Sequence, residues 1–147
     1  MYPEAERAWE SMLHLYAKLD PPLDHQMETV AGLPLTSFYA LRALDSADSA
    51  LTMSELSACV PSTRSRVSRR VDELSALGLV VRASNPDDGR SALATITSEG
   101  RTRLRAAEPI YAAFVDHEIS RWATSQQLRQ IADTVDAIRF GMNDHTK

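Results

Sequence analysis

A mainly α-helical chain with one small β-hairpin is the fold class predicted for these 147 residues, and three observations predict it. Apolar residues recur at helical spacing along most of the chain. The period switches to strand-like runs only between Leu79 and Ile96. That switch follows directly on two short helices with a three- or four-residue connection. Together they predict a winged helix-turn-helix domain flanked by N- and C-terminal helices.

The first helix is marked by Ala5, Ala8, Trp9, Met12, Leu13, Tyr16 and Leu19, and is expected to stop near Asp20-Pro21-Pro22, because proline clashes with the carbonyl four residues back. A new turn or short helix is expected there, with Asp20 as its N-cap. Gly32-Leu33-Pro34 punctuates again, and Leu35-Thr36-Ser37 opens a helix with Phe38, Leu41 and Leu44 on one side, ending in the polar run from Asp45 to Ser49. Thr52-Met53-Ser54-Glu55 fits a capping box for a third, short helix that ends by Val60-Pro61. Ser62 and Thr63 offer caps for a fourth, over about 63–77, with Val67, Val71, Leu74 and Leu77 as its apolar stripe and Gly78 at its end. Leu79 to Ala83 reads as a strand, Asn85-Pro86-Asp87-Asp88-Gly89 as a turn and Ser91 to Ile96 as a second strand, which makes a wing. Thr97-Ser98-Glu99-Gly100 starts a long helix with Leu104, Ala107, Tyr111, Phe114, Val115 and Trp122 as its stripe, bent or shifted by Pro109. Thr124-Ser125-Gln126-Gln127 is another capping box, and Leu128, Ile131, Val135 and Ile138 repeat along the last helix.

No apolar run approaches the roughly 18 residues a membrane span requires, so one soluble domain is expected. Cys59 is the single cysteine and the N-terminus lacks the features of a secretory signal; the expected compartment is the cytoplasm. Net charge is −4, but it is unevenly spread. Residues 62–105 hold nine arginines against five acids, while the remainder carries a net −8. One basic region on an acidic body binds a polyanion locally and repels it elsewhere.

On a helical wheel the fourth helix buries Val67, Val71 and Leu74, while Ser65 and Arg69 point away from them and Arg66 and Ser68 flank that outer face. From Ser62 to Arg70 there are four arginines and no acid. Such a helix suits entry into the major groove by its N-terminal end, where arginine reaches guanine O6 and N7 and serine or the helix dipole meets phosphate. Asp88-Gly89-Arg90 stands at the hairpin tip, from which Arg90 extends toward a minor groove with Asp88 in reach to orient it.

The order helix-turn-helix, strand, Asp-x-Arg loop, strand, helix resembles the MarR family of bacterial winged-helix transcription regulators. The likeness spans nearly the whole chain: Gly32-Leu33-Pro34-Leu35-Thr36, Met53-Ser54-Glu55-Leu56-Ser57, the run Arg64 to Leu74, Leu77 to Arg82, Asn85 to Ser91 and Ala94 to Gly100. The resemblance implies an obligate homodimer reading a pseudo-palindrome in double-stranded DNA, with 1–31 and 98–147 as dimerisation helices and 33–97 as the DNA-binding lobe; repression is the family default. It assigns Arg90 as the wing-tip arginine and Asp88 as its partner. The expected DNA contacts are thus Ser62, Thr63, Arg64, Ser65, Arg66, Ser68, Arg69, Arg70, Asp88 and Arg90. Two positions depart from the pattern: Gly89 replaces a common basic residue, and Arg70 replaces a common apolar one. Arg70 contacts either a phosphate or an acid of its own protein.

The likeness also implies response to a small aromatic or phenolic effector, for which His14, Tyr16, Tyr39 and Arg42 are the candidate lining, Arg42 as a carboxylate partner. Cys59 is expected to be a small buried hydrophobe, a redox-sensing role being the alternative. His14, His25, His117 and His145 are scattered, and no metal or other cofactor is expected. Asp87 and Asp88 lack a nearby histidine, nucleophile or phosphate cradle, so no enzyme is expected. A winged helix used only for protein contact would carry an apolar outer face on its fourth helix, where this chain has arginine and serine.

Overall fold

The computed structural model describes residues 3–144, with side chains through Met142. Helix α1 runs Pro3–Ala31, α2 Leu35–Ser46, β1 Leu51–Thr52, α3 Met53–Cys59, α4 Arg64–Ala76, β2 Val80–Ser84, β3 Ala92–Ile96, α5 Ser98–Ile119 and α6 Ser125–Asp144. The chain divides into two compact units, one through Tyr111 and one from Ala112 onward.

In the first unit the apolar stripes meet as their spacing requires. Phe38, Leu41 and Leu44 from α2, Leu56 from α3, Val67, Val71 and Leu74 from α4, Val80 and Ile96 from the hairpin, and Leu104 and Ala107 from α5 are all buried. Thr52 caps α3 through the expected box: its hydroxyl accepts from the Glu55 amide at 3.2 Å, and its own amide donates to Glu55 Oε2 at 2.7 Å. That amide, followed by the Thr52 hydroxyl, holds the Glu55 carboxyl below the usual carboxylate range. Helix α4 is capped by Thr63, and Gly78 beyond it takes φ +73°, the left-handed conformation that ends a helix without a Cβ penalty. Thr97 Oγ1 donates to the Gly78 carbonyl at 2.8 Å and accepts from the Gly100 amide at 3.0 Å, so one hydroxyl joins the end of α4 to the start of α5.

Four expectations are corrected. Helix α1 does not stop at Asp20 but passes through Pro21 and Pro22. A proline φ near −65° fits a helix, and the segment beyond is pinned by buried Leu23 and Met27 and by Asp24, whose Oδ1 accepts from the Leu35 amide at 2.8 Å. Asp24 thereby caps α2, whose own N-cap position is Pro34 and offers no side-chain acceptor. Leu77 falls at the C-cap, past the last turn of α4, and is exposed. Trp122 lies in the turn after α5 instead of on its stripe, because α5 ends at Ile119. Cys59 is exposed, since α3 turns Leu56 inward and the chain folds back at buried Val60.

The hairpin gains a strand that the sequence pattern does not announce. The sheet order is β1-β3-β2, antiparallel throughout, with Leu51 opposite Ala94 and Val80 opposite Ile96. Two residues suffice for β1 because β3 supplies the ladder. The second unit contains the end of α5, the Ser120–Trp122 turn and α6, which opens on the Thr124–Gln127 capping box. Among the described residues of α6 none is fully buried; Leu128 and Val135 are half-buried and Ile131 and Ile138 exposed, so its apolar stripe is only partly covered.

Candidate nucleic-acid interface

Helix α4 stands on α2 and α3 with its inner face sealed by Val67, Val71 and Leu74. Its outer face is therefore polar by construction: Arg64, Ser65, Arg66 and Arg69 are exposed and Ser68 and Arg70 half-buried, while Ser62, half-buried, lies in the connection before the helix. The Thr63 hydroxyl accepts from the Arg66 amide at 3.3 Å, which occupies it as a cap.

Ion pairing sorts the arginines. Arg64 donates to Ser54 Oγ and ties α4 to α3. Arg70 pairs with Glu73 at 2.7 Å, one turn along the same helix, so the structure gives it an acid of its own protein. Arg82 on β2 pairs with Asp72 on α4. Arg66, Arg69 and Arg90 have no carboxylate within ion-pairing distance among the described residues. Two of these three stand on the outer face of α4 and one at the wing tip.

The wing tip is held by hydrogen bonds of its own. The Asn85 amide donates to the Ser91 carbonyl at 3.1 Å and Asn85 Nδ2 donates to Ser91 Oγ at 3.0 Å, closing the loop at its base. Asn85 Oδ1 accepts from the Asp87 amide and Asp88 Oδ1 from the Arg90 amide, each at 3.0 Å, forming two successive side-chain turns. Asp88 thus orients Arg90 through its backbone rather than through its guanidinium, which has no hydrogen-bond or ion-pair partner among the described residues.

The four candidate effector residues do not share one wall. Tyr16 and Tyr39 line a cavity of about 170 Å³ between α1, α2 and the start of α4, together with Asp20, Asp24, Thr36, Ser62, Thr63 and Arg66. Burial, reinforced by the charge and hydrogen bond of Asp20, pushes the Tyr16 hydroxyl up. Burial and then a hydrogen bond with Tyr111 push Tyr39 up further still. Both stay neutral phenols. Arg42 lies elsewhere, its guanidinium 5.1–5.3 Å from the ring centroids of Phe38, Tyr39 and Tyr111, where it packs against ring faces. His14 is exposed and is not part of the cavity wall. His117 pairs with Glu118 at 3.0 Å, and among the described residues no three metal-ligating side chains converge; His145 lies outside them.

Sequence spacing did not reveal Asp20, Asp24 and Thr36 as neighbours of Tyr39, or the Asp72–Arg82 bridge. Each depends on the packing of separate elements. The uninterrupted α1 was the missing piece for the cavity, since Asp20 and Asp24 reach it only as part of that helix.

A helix-turn-helix followed by a closed hairpin, with unpaired arginines on both, is the architecture of a winged-helix transcriptional regulator. A sequence model of the MarR family matches residues 31–91. The HTH-type transcriptional regulator YxaD of Bacillus subtilis (strain 168), itself uncharacterized, is 30% identical over 105 residues, which cover 71% of this chain and 73% of that protein. Sco3205 of Streptomyces coelicolor, a MarR family transcriptional regulator solved in complex with DNA, superposes with a TM-score of 0.79 at 29% identity, covering 94% of this chain and 87% of that one. A MarR family regulator from Rhodococcus sp. RHA1 shares the fold at a TM-score of 0.81 and 21% identity, over 93% and 95% of the two chains. The chain belongs to the MarR family, whose members are transcriptional regulators and not enzymes. Among the described residues no helix is long and apolar enough to cross a membrane.

Proposed function

We propose that this protein is a cytoplasmic, homodimeric repressor that reads a pseudo-palindrome in double-stranded DNA, with α4 in the major groove and the wing in the adjacent minor groove. The observation that supports this reading most is the set of three unpaired arginines, Arg66 and Arg69 on α4 and Arg90 on the wing, in a chain whose other basic side chains on these elements are tied to protein partners. Dimerisation is supported by Trp9, Leu13 and Val30 exposed on α1 and by Ile131 and Ile138 exposed on the α6 stripe, apolar surfaces that a partner would cover. The terminal segments, 1–31 and 98–147, then supply the dimer contacts and 33–97 the DNA-binding lobe. Two α4 helices related by a twofold axis meet half-sites about one helical turn, roughly 34 Å, apart.

Salt titration of DNA binding tests the reading. In a dimer Arg90→Ala removes two cations from the interface, and the slope of log affinity against log salt is expected to flatten by about 2. Arg70→Ala, whose charge is already met by Glu73, is expected to flatten it less. Equal slopes for Arg90→Ala and the parent protein would contradict the assignment of Arg90.

The cavity behind α4 supports an effector reading of defined chemistry. At about 170 Å³ it is smaller than the roughly 300–1,000 Å³ of common ligand pockets and suits a single ring. Asp20 and Asp24 outweigh the single cation Arg66 in the wall and disfavour a carboxylate, whereas Tyr16, Tyr39, Thr36 and Ser62 offer partners to a hydroxyl. Phenol is expected to raise the melting midpoint saturably and to change DNA affinity through Arg66, while benzoate at equal concentration does neither. A midpoint that responds to benzoate and not to phenol would reject this cavity as the site.

A further inference from the structure

The wing is closed within itself, but its angle to α4 has to be set by something outside the loop. Where the hairpin leaves the body, Val80 is buried in the core and Arg82, two residues on and so on the same face of β2, reaches α4 and pairs with Asp72. Arg82 sits opposite buried Ala94 in the ladder, and beyond Ser84 the side-chain hydrogen bonds that shape the loop are internal to the wing. The bridge joins the element that carries Arg66 and Arg69 to the one that carries Arg90. Its two ends stand on different elements, a helix with a buried stripe and a three-stranded sheet, which meet at buried Val80 where the hairpin begins. It is also partly exposed, Arg82 at 29% and Asp72 at 60% of side-chain surface, so its worth to stability is small. An acid on the groove-facing element of a DNA-binding protein is an electrostatic cost, and Asp72 is the one whose partner lies on the wing.

We propose that the Asp72–Arg82 ion pair sets the reach of the wing relative to α4, making both residues positioning residues for simultaneous major- and minor-groove contact. This role rests on the DNA-reading function proposed for α4 and the wing. Its sign separates it from plain electrostatics. Neutralising an acid near DNA strengthens binding when charge alone acts. Loosening the wing weakens it, because Arg90 then has to be ordered on binding.

Asp72→Asn is expected to lower affinity for a selected operator about tenfold with the melting midpoint nearly unchanged. Arg82→Gln is expected to do the same, the double variant to be no weaker than either single one, and Asp72→Glu, which keeps the pair, to retain most of the affinity. In an Arg90→Ala background, Asp72→Asn is expected to cause no further loss, since the residue it positions is gone. Affinity raised or unchanged by Asp72→Asn, or an equal loss with and without Arg90, overturns the inference. If Arg66→Ala, Arg69→Ala and Arg90→Ala all leave binding intact, the DNA-reading role itself has failed and the inference falls with it. If those three weaken binding and Asp72→Asn does not, only the positioning role is lost.

Discussion

Replacing Gly100 with alanine is expected to cost roughly 3 kcal/mol or more of stability, a fall of about 10 °C in melting midpoint for a chain of this size. Gly100 is in the first turn of α5, where alanine ordinarily gains about 1 kcal/mol over glycine through helix propensity. Here an added Cβ would stand 2.2 Å from the Leu79 carbonyl oxygen and 2.7 Å from Ile96 Cγ1. The first of these is backbone and cannot rotate away. That carbonyl also accepts from the Thr97 amide at 3.1 Å, and the Gly100 amide donates to Thr97 Oγ1, so relief of the clash breaks the junction between the sheet and α5. Gly89→Ala is the control, since its Cβ meets nothing within 4 Å. Thermal unfolding of both variants decides the matter: a Gly100→Ala midpoint at or above the parent's would mean that the sheet and α5 are not packed as described.

Arg66→Ala and Arg69→Ala are expected to weaken binding by about 1–3 kcal/mol for each arginine–base pairing removed, twice over in a dimer, and to relax the preference at particular base pairs. Both side chains leave the exposed face of a helix whose inner face is locked by Val67 and Val71, so truncation does not disturb the core. Neither pairs with a carboxylate among the described residues, so truncation breaks no ion pair, although Arg66 shares its cavity wall with Asp20 and Asp24. Selection of binding sites by each variant from a random DNA pool checks this. A variant that binds more weakly while selecting the same sequence with the same stringency has given up a phosphate interaction instead.

The wing and the helix-turn-helix were legible because local signals agreed with the packing. The Thr52–Glu55 and Thr124–Gln127 boxes, the Thr63 cap and Gly78 each act within a few residues, and structure and sequence coincide at all four. The unbroken α1 was not legible, since Pro21 and Pro22 read locally as a stop, and what carries the helix past them is the packing of Leu23 and Met27 and the Asp24 cap on α2. Strand β1 escaped notice because two residues carry no period. The exposed face of α4 could be drawn on a wheel, but which arginines remain free could not, because Glu73, Asp72 and Ser54 reach theirs from another turn or another element. The effector candidates separated for the same reason: Tyr39 and Arg42 are three residues apart on α2, yet only Tyr39 lines the cavity.

If α4 and the wing read DNA together, the folded protein will recover specific fragments from its source genome, and the Arg66/Arg69/Arg90 triple alanine variant will not. Recovery by both proteins, followed by salt titration on the best fragment, puts this to the test. The expected fragment is a pseudo-palindrome with half-sites about one helical turn apart, bound by the parent with an affinity that falls steeply as salt rises, and not selected by the triple variant. Retention of the same fragments with the same salt dependence by both proteins would contradict a reading of DNA by α4 and the wing.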